Sequence, residues 1–204
     1  MTLRPRGRPR SFDPGAVLHA AAERFRAGGY AGTSLDDLAA ATGLNRPSLY
    51  AAFGDKEALY LAALDGAIAR AERAFDRLIA SRPTARAGLQ ALFGYVVERY
   101  LAGEDSAGGC LVVSTAATAA VDHPAIRERV ARIVALEDDR IAELLAAAGD
   151  ANAPAHARLV SAAIHSLSVR ARAGATRAEL EQVARDCIDV VAPPPAPAPA
   201  PPAR

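Results

Sequence analysis

An all-α fold is predicted by three features of the 204-residue sequence. About a quarter of the residues are alanine, the strongest helix former. Aromatic residues make up only 5% with no tryptophan, so the material that stabilises sheets is scarce. Apolar residues recur at three- and four-residue spacing through most of the chain, the period of a helix with one buried face. The 51% apolar and 23% charged composition is that of a globular chain rather than a disordered one.

The elements follow in order. Residues 1–11 read as a flexible basic arm, because Pro5, Gly7 and Pro9 oppose helix and nothing apolar anchors them. Asp13 is an N-cap and Pro14 suits the first helical position; Val17, Leu18, Ala21 and Phe25 follow at helical spacing until Gly28 and Gly29. Thr33 or Ser34 caps a short helix, with Asp36 or Asp37 closing a capping box and Leu35, Leu38 and Ala39 facing inward. Gly43 breaks it, Leu44 fills the corner, and Asn45 caps another short helix in which Pro47 is tolerated and Leu49 and Phe53 face inward. Two short helices joined by a Gly turn make a helix-turn-helix pattern.

Asp55 caps a long helix at 55–80 with the stripe Tyr60, Leu64, Ala67, Ile68, Ala71, Phe75 and Leu78, closed by Pro83. Further stripes are Leu89, Leu92, Phe93, Val96, Tyr100; then Cys110, Val113, Ala117, Val121; then Ile126, Val130, Ile133, Ile141, Leu144. Two last helices run roughly over 155–173 and 176–191, the second opened by a Thr176–Glu179 capping box, for about nine helices in all. The tail at 193–204 is nearly all Pro and Ala and is expected to be disordered.

Several function classes are excluded. No run of 18 apolar residues exists to span a membrane, and the basic start lacks the apolar stretch of a secretory signal, so a cytoplasmic location is expected. Cys110, Cys187 and four scattered histidines form neither a disulfide framework nor a metal-ligand pattern. With no nucleophile–base pair, phosphate loop or paired carboxylates, neither an enzyme nor a cofactor is expected. Net charge is +1, but residues 1–56 carry eight bases against five acids while the rest carry sixteen against eighteen. A basic N-terminal part is suited to an anionic partner.

The run from Thr33 to Lys56, TSLDDLAAATGLNRPSLYAAFGDK, resembles the DNA-binding domain of the TetR/AcrR family of bacterial transcriptional regulators, and the resemblance extends from Phe12 to about Leu64. It implies a three-helix DNA-binding domain at 12–56, running on into the long helix 55–80, and a helical effector-binding and dimerisation domain at 84–192. Arg46, Pro47 and Ser48 would then face bases, with Asn45 and Ala51 on the same surface; Arg46 can donate two hydrogen bonds to guanine. Tyr50 and Lys56 would bind phosphates, and Thr33 and Ser34 would bring a helix N-terminus to another. Ala51 and Ala52 stand where the family commonly has larger side chains, leaving fewer contacts, and Arg24 where leucine is usual, implying a looser first helix. In the arm, Arg6-Gly7-Arg8-Pro9 matches the core of minor-groove hooks; Arg6, Arg8 and Arg10 either enter a groove or attract phosphates without specificity.

The resemblance further implies a homodimeric repressor, released from a palindromic double-stranded operator by a small molecule. Candidate pocket residues are Phe75, Phe93, Val96, Tyr100, Cys110, Val113 and Glu137. Cys110 is either a sensor of electrophiles, its thiol pKa lowered at a helix N-terminus, or a small buried hydrophobe. Glu137 interrupts an apolar stripe and needs a partner, more readily an Arg than a ligand. The last helix offers Leu180, Val183, Ala184, Cys187, Ile188 and Val191 as a dimer seam. A sequence-tolerant DNA-binding protein without effector, and an activator, are the alternatives.

Overall fold

The computed structural model describes residues 12–81, 83–102, 109–116 and 118–194, with side chains omitted at 114–116. The basic arm at 1–11 and residues 195–204 of the tail lie outside the described residues.

Ten helices are described, in the order α1 (Pro14–Gly28), α2 (Leu35–Thr42), α3 (Arg46–Phe53), α4 (Lys56–Ala80), α5 (Ala85–Leu101), α6 (Leu111–Ala116), α7 (Ala119–Asp122), α8 (Pro124–Ala147), α9 (Ala153–Arg172) and α10 (Arg177–Val191). The count exceeds the expected nine because the stretch read as one helix from Cys110 to Val121 is two. Thr118 leaves helical geometry at φ −135°, ψ −61°, with no side-chain cap. The run before it, Val112-Val113-Ser114-Thr115, is rich in residues that gain little from a helix.

Most helix starts are set by side-chain caps: Asp13, Ser34, Asn45, Asp55, Thr84 and Thr176 each accept a first-turn amide. Ser34 and Asp37, and Thr176 and Glu179, complete reciprocal capping boxes.

Burial divides along α4. Its N-terminal half packs Leu59, Tyr60, Ala63 and Leu64 with Phe25 of α1, Leu38 of α2 and Leu49 of α3, and Leu111, Ala119, Ala120 and Ile126 join the same cluster. The head formed by α1, α2 and α3 therefore shares its core with α6, α7 and the start of α8. Phe75, at the far end of α4, belongs to a second cluster built from α5, α8, α9 and α10, and Ile68, Val112 and Ile133 bridge the two. Among the described residues, no helix is long and apolar enough to cross a membrane.

Candidate nucleic-acid interface and interior cavity

The corner between α2 and α3 turns at Gly43, whose φ of 69° lies in the left-handed region that a side chain disfavours. Leu38 and Leu49 anchor the two helices on the head core. Asn45, Arg46, Pro47, Tyr50 and Ala51 are exposed on α3 and its cap, and Ser48 is half-buried. Asn45 Oδ1 accepts the Ser48 amide at 2.9 Å, so its side chain already holds the helix start. These residues form one outward surface, the geometry required of a helix that enters a major groove.

Arg46 is not idle on that surface. Its Nε donates to Asp36 Oδ1 at 2.6 Å and its Nη2 to Asp36 Oδ2, a forked pair between α3 and α2. The Arg46 hydrogen bond holds the Asp36 carboxyl below its ordinary range. Lys56 Nζ stands 4.6 Å from the Tyr30 ring centroid, and burial lowers its pKa.

Two readings of this region need correction. Thr33 is fully buried and its hydroxyl donates to the Gly29 carbonyl at 2.7 Å, so it closes the α1–α2 turn and presents nothing to a phosphate. Ser34 is the N-cap, exposed but tied to Asp37. Arg24 does not loosen α1: it pairs with Asp37 at 2.9 Å and fastens α1 to α2. Asp37 is held at a pKa of about 2, chiefly by the Ser34 amide and hydroxyl. Phe12 packs 6.4 Å from Phe53, which brings the start of the described chain beside the end of α3. Arg6, Arg8 and Arg10 lie outside the described residues.

Farther in, a cavity of about 140 Å³ opens between α4, α5, α8 and α9. Phe75, Val96, Tyr100, Cys110 and Glu137 of the expected pocket line it. Phe93 and Val113 are not among its lining residues; Phe93 sits on the α10 side of α5. Among the described residues Glu137 meets no arginine: its Oε2 is 2.9 Å from His165 Nε2 on α9, and that bond raises the His165 pKa.

Cys110 stands where expected, at the start of α6, and amides of Val112 and Val113 and the Tyr100 hydroxyl do favour its thiolate. Burial, followed by the Glu137 charge, outweighs them and pushes the thiol up. Gly109 before it has φ 59°, and a Cβ there would lie 2.8 Å from Ser168 Oγ; that hydroxyl accepts the Cys110 amide at 2.7 Å. The start of α6 is thereby fixed on α9.

At the α1 end of the cavity stand three arginines that were not anticipated from the sequence: Arg26, Arg70 and Arg99. Glu23 of α1 accepts from Arg26 Nε at 2.9 Å and from Arg99 Nη2 of α5 at 2.5 Å, and Arg26 Nη2 donates to the Ala102 carbonyl at 2.6 Å. Burial raises the Glu23 carboxyl, but hydrogen bonds from Arg99 and Arg26 bring it below its ordinary value. Arg172 of α9 also donates to the Arg26 carbonyl. These bonds tie the head to the cavity helices. The Glu23–Arg26 spacing was legible only as a local i, i+3 pair.

The stripe on α10 faces inward. Leu180, Ala184, Ile188 and Val191 are buried in the subunit's own core, while Val183 and Cys187 are half-buried at its margin. The surplus apolar surface lies elsewhere, with Leu159 and Val169 of α9 54% and 58% exposed and Val190 of α10 73% exposed. Among the described residues, no group of three or more His, Cys, Asp or Glu side chains is placed to hold a metal ion.

A family model described as "Bacterial regulatory proteins, tetR family" matches residues 17–63. The HTH-type transcriptional repressor ComR of Escherichia coli is 31% identical over 189 residues, covering 88% of this chain and 89% of that one. Among solved structures, a cysteine-substituted CifR, a TetR family transcriptional regulator in complex with 26-base-pair double-stranded operator DNA, superposes with a TM-score of 0.78 at 30% identity, covering 89% of this chain and 98% of that one. The reduced form of Escherichia coli NemR has a TM-score of 0.75 at 17% identity over 89% of this chain and 97% of that one, a likeness of fold.

Proposed function

The chain belongs to the tetR family of bacterial regulatory proteins, and from that membership we propose a homodimeric repressor that holds a palindromic operator and leaves it when a small molecule fills the cavity. The observation that carries the reading is the exposed face of α3, from Asn45 to Ala51, mounted on a capped corner and backed by Leu49. In this reading Arg46, Pro47 and Ser48 meet base edges, while Tyr50 and Lys56 meet phosphates. The arm's Arg6, Arg8 and Arg10 add minor-groove or phosphate contacts.

Release follows from connectivity. The cavity touches α4, and α4 carries the head on its N-terminal half. A ligand that favours a different tilt of α4 changes the spacing of two heads across a two-fold axis, and so the fit to two half-sites one helical turn apart. Cys110 serves as cavity wall in this scheme, since its raised pKa leaves little thiolate for an electrophile.

Selection of bound sites from random double-stranded DNA by the full-length protein tests the reading. A palindrome with two half-sites is expected. Recovery of single half-sites would overturn the dimeric mode, and strongly salt-dependent binding without any motif would establish the sequence-tolerant alternative instead.

A further inference from the structure

The cavity has an uneven charge. Its body is apolar, with Phe75, Leu92, Val96, Ile133 and Ile164 in the wall, but its α1 end gathers Arg26, Arg70 and Arg99. One carboxylate, Glu23, stands among those three guanidiniums and is engaged by Arg99 and Arg26. Arg70, half-buried, makes no hydrogen bond or ion pair within bonding distance among the described residues, and burial and the Arg99 charge both lower its pKa. The Arg26 side chain is only 6% exposed, and its Nη1 is buried without a partner among the described residues. A buried guanidinium N–H that lacks an acceptor is costly, and the cost is removed when an anion arrives.

Resting on the effector-release reading above, we propose that the cavity binds a small organic acid, a single carboxylate on an apolar body of about one ring, with the carboxylate held by Arg70 and Arg26 in competition with Glu23. A neutral ligand leaves both arginine groups unmet, and a cation is repelled by them. Glu137, the acidic group of the cavity wall, is engaged by His165 and stands with the Tyr100–Cys110 pair, so the ligand's charge has its counterpart at the arginine end. The size suits the apolar body: about 140 Å³ is available, close to the dry cavity of about 150 Å³ that accommodates benzene.

Competition with Glu23 gives the ligand a mechanical consequence. The Glu23–Arg99 and Arg26–Ala102 bonds join α1 of the head to the end of α5. A carboxylate that draws Arg26 or Arg99 away from Glu23 loosens that joint, and the head is freed at the end where the ligand's charge sits.

The test uses the full-length protein and two isosteric probes, phenylacetate and phenylacetamide, titrated calorimetrically. The acid is expected to bind at least about tenfold tighter than the amide, the advantage of a charge-assisted over a neutral hydrogen bond in a desolvated site. Arg70→Gln should erase that preference and Arg70→Lys should restore part of it, both variants keeping ligand-free affinity for the selected DNA site. Phenylacetate should also weaken wild-type binding to that site by about fivefold or more, the lower end of an allosteric coupling. Equal binding of acid and amide, no binding of the acid, or a preference untouched by Arg70→Gln overturns the proposal. The calorimetry involves no DNA, so these results stand apart from the regulator reading, which fails only when the ligand-free protein selects no site.

Discussion

The most consequential side-chain pair on the head is Arg46 with Asp36. An exposed ion pair of this kind is weak and screened by salt, whereas a forked contact to guanine in a groove is stronger and desolvated. In the proposed complex DNA therefore wins Arg46 from Asp36, and the carboxylate left behind opposes nearby phosphates. Asp36→Ala should raise affinity for the selected operator several-fold, and more at low salt, whereas Arg46→Ala should reduce discrimination between that operator and a scrambled duplex by roughly tenfold. Fluorescence anisotropy on both duplexes measures each effect; weaker binding by Asp36→Ala would show that the carboxylate positions Arg46 instead of competing for it. Legibility at this scale was uneven. Asn45 and its outward surface were readable because caps and turns are local. Thr33 departs from expectation because burial is a tertiary property, its hydroxyl closing against Gly29; for Cys110, legible only as a sensor or a buried hydrophobe, burial and then the Glu137 charge from another helix raise the thiol and favour the second reading. Arg70 and Arg99 were missed for the same reason, since only the fold brings their helices together at Glu23.

Between elements, α8 packs most extensively against α9, and Glu137–His165 is a polar link between them. The Glu137 bond raises the His165 pKa above its ordinary 6.5, outweighing burial, with a smaller contribution from Asp138. A raised pKa means that the folded state holds the proton more tightly than the unfolded one. The resulting stability is fully present below about pH 6.5 and is lost as pH rises through the higher folded value. His165→Gln should thus destabilise the protein by about 1 kcal/mol at pH 6, discounted for partial exposure, and by much less at pH 9. Urea midpoints of both proteins at the two pH values provide the comparison, and a loss independent of pH would assign His165 a packing role only. Helix boundaries were largely legible, because Asp13, Ser34, Asn45, Asp55 and Thr176 announce them within four residues. The break between α6 and α7 was not, since no cap or glycine marks Thr118. Nor could periodicity say which neighbour the apolar face of α10 meets: a stripe shows that a helix buries one side, and the same stripe serves a subunit core or a dimer seam.

For the whole molecule, in the proposed homodimer, that ambiguity decides where two copies meet. With Leu180, Ala184, Ile188 and Val191 buried in the subunit, the face left to a partner is Leu159, Ala162, Ser166 and Val169 of α9, at three- and four-residue intervals, beside Val183, Cys187 and Val190 of α10. A two-fold axis through this face would bring each stripe against its own copy, as an isologous four-helix contact requires. Leu159→Glu with Val169→Glu places like charges opposite one another there without disturbing the buried core. Light scattering should then report a monomer with an unchanged far-ultraviolet spectrum, and affinity for the full palindrome should fall by roughly a hundredfold or more as linkage of the two heads is lost. Affinity for an isolated half-site should be unaffected. Leu180→Ala should do the opposite, costing about 2–5 kcal/mol of stability through a cavity in the core while leaving the surviving folded molecules paired. A dimer that persists in the double-glutamate variant, or one that dissociates in Leu180→Ala without loss of stability, would return the interface to the inner stripe of α10. The two variants thus separate the contacts that fold one subunit from those that set the distance between two recognition helices, on which reading a palindrome depends.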